Sequence, residues 1–206
     1  MPRPTNPAAE KLPLDHIPAH ALAHIPFIDQ APATTDLLVT FEDLPLIPGD
    51  FACDVIPSDY AGFVWSEWSQ IYDAQKLREG SPVPSGYISA DASGPKVLIA
   101  EDLADPVISS PDGSEFDFQS AYFTSAWKDA ATLTVTGYRD GVQVAVQSFT
   151  IGTSDSTFVQ FASDFDSVDQ LGFDSEGGTV NGYGTGNGFL IDDLLFKVLV
   201  DDPLLL

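Results

Sequence analysis

Two acidic steps stand far apart in the chain. Thr40-Phe41-Glu42-Asp43 lies near the start of its strand-rich part, and Phe189-Leu190-Ile191-Asp192-Asp193-Leu194 lies near the end. Carboxylates from two such places can share one hard cation, because calcium takes its ligands from Asp and Glu oxygens and from backbone carbonyls. In a jelly roll the first and last strands commonly run side by side, which would bring the two steps together. Glu42, Asp43, Asp192 and Asp193 are therefore candidate ligands of a structural calcium ion. The competing reading is two solvated turns.

Other chemistries find less to work with. A Ser-His-Asp or Cys-His arrangement needs a base, and the three histidines, His16, His20 and His24, all precede residue 37. Their spacing of four would stack three imidazoles on a helix, a transition-metal arrangement. Pro18 falls inside that segment and breaks such a helix, so the spacing reads as a repeat within an extended arm. Cys53 is the single cysteine, which excludes an internal disulfide and a cysteine-based zinc site. Residues 182–188, Gly-Tyr-Gly-Thr-Gly-Asn-Gly, lead into a strand pattern rather than a helix. They read as a loop and not as a phosphate cradle. Pairs of carboxylates suitable for a glycosidase arise by composition alone among 31 Asp and Glu residues. A glycan-active enzyme is thus the least supported class, and the expectation is a non-catalytic protein.

Sugar binding asks for flat aromatic faces and a few polar groups. Trp65 and Trp68 are three apart, so on a strand they point to opposite sides. Together with Tyr72 and Tyr183 they are the candidate ligand-binding residues, with Tyr60, Tyr122 and Trp127 as further possibilities. The competing reading is that these rings fill the core.

Charge narrows the partners. With 31 acidic against 8 basic residues the net charge is −23, which repels nucleic acid and anionic membranes. No window approaches 18 uninterrupted apolar residues, so no membrane-spanning helix is expected. The first twenty residues lack the apolar stretch of a signal peptide. The C-terminal Asp201-Asp202-Pro203-Leu204-Leu205-Leu206 looks like the tail of a type I secretion substrate, or else is a frayed end.

The elements that must position these groups are nearly all strands. Residues 1–36 hold seven of the sixteen prolines and no glycine, which predicts an extended arm. Arg3 and Lys11 there nearly offset Glu10, Asp15, Asp29 and Asp36, so almost the whole negative charge belongs to the domain expected over 37–206. Aromatic content of 11% gives that domain material for a core. Strands are predicted over 37–41, 61–68, 96–100, 116–123, 131–138, 142–151, 157–161, 167–173 and 189–200, with a turn of helix within 69–79. Arg139-Asp140-Gly141 separates two alternating runs, and an Asp-Gly step there predicts a type I′ hairpin. Many short strands with turns between them predict an all-β, antiparallel β-sandwich of the jelly-roll kind.

Two resemblances add to this. The Phe-Glu step at Phe41-Glu42 and the Phe-x-Ile-Asp-Asp run at Phe189–Asp193 resemble the calcium-bearing jelly-roll carbohydrate-binding modules. That resemblance implies Glu42 and Asp192 as ligands. Residues 56–65 (Ile-Pro-Ser-Asp-Tyr-Ala-Gly-Phe-Val-Trp), Ser85-Gly86-Tyr87, residues 116–127 and Val135–Gly141 look like the jelly-roll domain of exported bacterial proteins of the PEP-CTERM type, although the sorting tail of those proteins is not seen here. It implies an extracellular sandwich and no activity. The expectation is a secreted, extracellular or cell-surface structural or assembly subunit, calcium-stabilised, that self-associates through its N-terminal arm. The alternative is a carbohydrate-binding module for an extracellular polysaccharide.

Overall fold

The computed structural model describes residues 33–46, 53–66, 69–80, 83–90, 92–100, 106–181 and 183–200. The arm expected over 1–36 lies outside them up to Pro32, as do Trp68 and the C-terminal tail. The described part opens with β1 (Thr34–Val39) and β2 (Cys53–Val55), then β3 (Val64–Trp65) and β4 (Ser69–Asp73). A seven-residue helix, α1 (Ala74–Gly80), follows, then β5 (Lys96–Ala100) and β6 (Val107–Ser109). The long strands are β7 (Phe116–Ser125), β8 (Lys128–Arg139), β9 (Val142–Ile151), β11 (Gln170–Val180) and β12 (Phe189–Leu199), with the short β10 (Thr157–Gln160) between β9 and β11.

These strands form two antiparallel sheets. One runs in the order β10-β7-β12-β5-β4-β2, with β1 also paired to β12; the other runs β3-β6-β11-β8-β9. The protein is the all-β antiparallel sandwich that the alternating runs predict. First and last strands do lie side by side, with Thr34 opposite Leu199 and Val39 opposite Leu194. The β8–β9 turn places Asp140 at φ 52° and Gly141 at φ 73°, the two positive angles a type I′ turn requires.

Local differences from the sequence reading have simple causes. Residues 69–79 divide into a strand and a helix, because Asp73 accepts a 2.9 Å hydrogen bond from the Lys76 N–H and so starts α1. The strands β2 and β6 span three residues each, too few to show alternation. The strand expected over 167–173 begins at Gln170 and continues to Val180. Gly177 and Gly178 take φ 69° and 76°, which lets the ladder with β8 pass through a glycine pair that reads as a turn.

The sheets close over a phenylalanine-rich core. Phe41, Phe63, Phe116, Phe118, Phe123, Phe161, Phe165, Phe173, Phe189 and Phe196 are all buried there. Along β12, Phe189 and Ile191 point inward, and then so do Leu194 and Phe196. The change of parity comes from a bulge between Asp192 and Leu195 in the ladder with β7, where Asp193 adopts φ 51°. Phe196 is fully buried and touches Phe63, Phe116 and Phe118 at ring-centroid distances of 4.5, 5.5 and 5.2 Å. Phe196→Ala is expected to cost about 3–5 kcal/mol, read as a lower urea midpoint with an unchanged slope.

Candidate functional site

Alternation gives the seven-stranded sheet a second, outward face. Ile71, Leu98 and Ile191 belong to the core between the sheets, while their neighbours Tyr72, Val97, Ile99 and Leu190 form a separate cluster on the other side. Ala74, Ala90 and Ala126 complete it, with Leu77, Tyr87 and Trp127 packed against it. Beside this cluster lies a pocket of about 460 Å³, within the range of small-ligand sites. Its floor is Cys53 of β2, Gln70 and Tyr72 of β4 and Ile99 of β5. Leu77 of α1, Val83, Ser85, Tyr87, Trp127 and Tyr183 form the walls.

Close backbone approaches hold the walls. The Gly86 N–H donates to the Ala126 carbonyl at 2.9 Å, and a Cβ on Gly86 would lie 2.0 Å from the Ser125 carbonyl oxygen. Only glycine lets this segment reach the end of β7. Tyr87 then packs on Trp127, centroids 5.1 Å apart, and edge-on against Tyr72 at 5.8 Å and 82°. On the other wall a Cβ at Gly184 would sit 2.2 Å from the Trp127 ring, so the 183–188 loop lies directly on the indole. Asn181 joins the two lips: its side-chain amide donates to the Pro84 carbonyl at 2.8 Å, and its oxygen accepts from the Tyr183 N–H at 3.1 Å.

The polar groups of the pocket are few. The Cys53 thiol donates to Gln70 Oε1 at 2.9 Å, and the Ser85 hydroxyl to the Val83 carbonyl at 3.3 Å. Tyr72 is 3% exposed, and its buried hydroxyl has no hydrogen-bond partner. Burial, and then the neighbouring Tyr87, Cys53 and Asp73, hold that hydroxyl above the ordinary tyrosine range. It therefore stays protonated and able to donate. At the mouth, the Tyr183 ring is 59% exposed.

The structure thus brings Tyr72 and Tyr183 together. Trp65 is instead buried in the core, where its indole N–H donates to the Tyr60 carbonyl at 2.8 Å and its ring meets Phe41 and Phe63. It presents no face to a ligand, because β3 turns it inward. Trp68 lies outside the described residues. Tyr122 packs on Phe158 across the β7–β10 pair, away from the pocket lining. Tyr87 is the aromatic that residue type and spacing did not single out. Beyond its place in the Ser85-Gly86-Tyr87 resemblance, its sequence signal is a glycine beside a tyrosine, seen in both Gly86-Tyr87 and Tyr183-Gly184.

The candidate calcium ligands lie around the 92–96 loop. Glu42 Oε1 accepts from the Lys96 N–H at 2.7 Å, while the Lys96 ammonium donates to the Glu42 and Leu44 carbonyls at 2.6 Å each. Asp192 Oδ2 accepts from the Ala92 and Ser93 N–H groups at 2.9 and 3.3 Å, and Oδ1 from the Asp193 N–H at 2.8 Å. Glu42 and Asp192 therefore grip the same loop from its two ends, and Gly94 passes so close to Glu42 that a Cβ there would lie 2.4 Å from Oε1. Burial, with the Asp193 charge beside it, pushes the Asp192 carboxyl up to about 7 despite those donors. Asp193 Oδ1 is buried and has no partner. Two adjacent carboxylates in that condition fit a hard cation. Asp43 is turned elsewhere, accepting from the Tyr60 hydroxyl at 2.5 Å. Among the described residues no three His, Cys, Asp or Glu side chains converge as a metal cage, so an ion here would need backbone oxygens as well.

No protein-family model matches the chain, and no curated protein matches it in sequence. Among solved structures, a DUF4465 family protein from Bacteroides caccae ATCC 43185 is similar at 13% identity, over 79% of this chain and 98% of that one, with a TM-score of 0.51. A DUF4465 family protein from Bacteroides ovatus ATCC 8483 matches at 10% identity over 81% and 99%, TM-score 0.47. A family 61 carbohydrate-binding module in complex with β-1,4-galactotriose matches at 7% identity over 68% and 90%, TM-score 0.34. The first of these shows a shared sandwich fold; the other two are too distant to carry more.

Gly184→Ala forces Cβ into the Trp127 ring, and overpacking of that kind costs about 1–3 kcal/mol. The expected result is a lower melting temperature together with a shift in tryptophan emission. An unchanged spectrum would mean that the loop is not held on the indole.

Proposed function

We propose that this chain is a non-catalytic carbohydrate-binding module that works outside the cell. The observation that supports this best is the grouping of Tyr72, Tyr87, Trp127 and Tyr183 around one pocket on an outer sheet face. Aromatic faces take the apolar face of a sugar ring, and a few polar atoms fix its orientation. Among the described residues the lining contains no His, Asp or Glu, and so offers no acid–base pair for glycoside cleavage. The assembly-subunit reading rests on an arm that lies outside the described residues, and the pocket favours the binding reading over it.

Isothermal titration against neutral plant and bacterial oligosaccharides tests the reading. A binding glycan is expected, and Tyr183→Ala should weaken it roughly 3- to 10-fold at an unchanged melting temperature. Affinity indifferent to Tyr183, or no binding glycan at all, would end the proposal.

A calcium ion is part of the same reading. Asp192, with Glu42 and the partnerless oxygen of Asp193, would hold it together with backbone oxygens of the surrounding turns, and it would relieve the repulsion between the adjacent carboxylates. Ion sites of extracellular modules bind near the millimolar calcium found there, which agrees with work outside the cell. An ion held at 100 times its dissociation constant adds about 2.7 kcal/mol. For a domain of this size that is roughly 5–10 °C in melting temperature. Wild-type protein should melt higher in calcium than in chelator, while Glu42→Gln combined with Asp192→Asn should melt alike in both. Equal melting of the wild type in the two buffers would remove the ion from the account.

A further inference from the structure

We infer that the pocket takes an uncharged, hydroxyl-bearing ring and excludes acidic sugars, with the Tyr72 hydroxyl as the contact that selects it. The inference rests on the carbohydrate-binding reading and names the class of glycan.

Three observations carry it. None of the described residues lining the pocket is ionic, so a uronate or sialate carboxylate would be buried against them without a counter-charge, a costly arrangement. The cations nearest in the sequence are already engaged. Arg78 donates from Nε and Nη2 to the Ile88 carbonyl at 2.8 and 2.5 Å, Lys76 lies 3.8 Å from Asp73, and Lys128 donates to Asn187. The −23 net charge adds a long-range field that repels anionic chains as they approach.

Tyr72 supplies the positive half of the selection. It lines the pocket, and its hydroxyl is protonated, buried and unpartnered. Nearly all buried polar groups in folded proteins find a partner. A hydroxyl or ring oxygen of the ligand supplies the missing acceptor, so a hydrogen bond absent from the free protein forms in the complex. Serving the fold and serving a ligand then have opposite signatures. Removing an unpaired buried hydroxyl should leave the free protein as stable or more so, while binding weakens.

Titration calorimetry on the full chain tests both halves, with cellulose, xylan and galactan oligomers as neutral probes and polygalacturonate and alginate oligomers as acidic ones, at low and high salt. Neutral oligomers are expected to bind with little salt dependence, and acidic ones at least about tenfold more weakly. Tyr72→Phe should lower neutral affinity about tenfold with an equal or higher melting temperature. Acidic oligomers binding as tightly as neutral ones would overturn the inference and leave the carbohydrate reading standing, as would a Tyr72→Phe variant of full affinity. Failure of every oligomer to bind would remove that reading itself, and the inference with it.

Discussion

The structure depends on one strand, β12. It pairs with β7 along one side and with β5 and then β1 along the other, so the first and last strands of the sandwich are joined through it. Its inward residues, Phe189, Ile191, Leu194 and Phe196, run through the middle of the aromatic core. Its outward Leu190 belongs to the cluster beside the pocket. A strand that faces two apolar clusters cannot slip by one residue without exchanging every side chain between them. The bulge at Asp193 is where this constraint is adjusted, and it leaves Asp192 facing outward beneath the 92–96 loop.

That placement sets the electrostatic character of the domain. Most of the described acidic residues are solvated and cost the fold little singly. Asp192 is different: 2% exposed, it receives three backbone donors and still has a raised pKa, because burial strips its carboxylate of water and, after that, a second carboxylate follows it in the chain. The three N–H groups orient the carboxylate and tie a loop to the sheet, but they do not neutralise it. On the other flank the Lys96 ammonium holds the carbonyls of the turn that carries Glu42, and the Lys96 N–H donates to the Glu42 carboxylate. Two segments more than a hundred residues apart in the chain are therefore coupled through one short loop.

The pocket follows from the same logic of two faces. Inner positions of β4 and β5 feed the core, so the alternate ones must feed an outer cluster. Once Tyr72 and Ile99 are apolar and outward, something has to cover them. The cover is built from segments with little regular structure, drawn in by glycines that allow contact at distances closed to any other residue. What remains uncovered is a cavity with rings for walls and few polar atoms, one of them a hydroxyl without a partner.

Much of this was legible in the sequence. Alternation beginning at Phe116 and the period-two valines Val142, Val144 and Val146, although these valines face solvent, with Asp140-Gly141 before them, fix the strand class and one hairpin, because a period of two and a positive-φ turn are local properties. The pairing of first and last strands was expected of a jelly roll, and Glu42 and Asp192 each accept hydrogen bonds from the 92–96 loop. Single residues on short strands were not legible. Trp65 and Tyr72 are both aromatics in short runs, and only the fold turns one into the core and the other toward a pocket. Tyr87 and Trp127 meet because Gly86 lets its segment reach the backbone at Ser125 and Ala126 and Gly184 lies against the indole, contacts between segments far apart in the chain that no local pattern encodes. Residue type and period thus determined the sandwich and its acidic steps, whereas sheet parity and glycine-mediated approach, which exist only in three dimensions, decided where a ligand can sit.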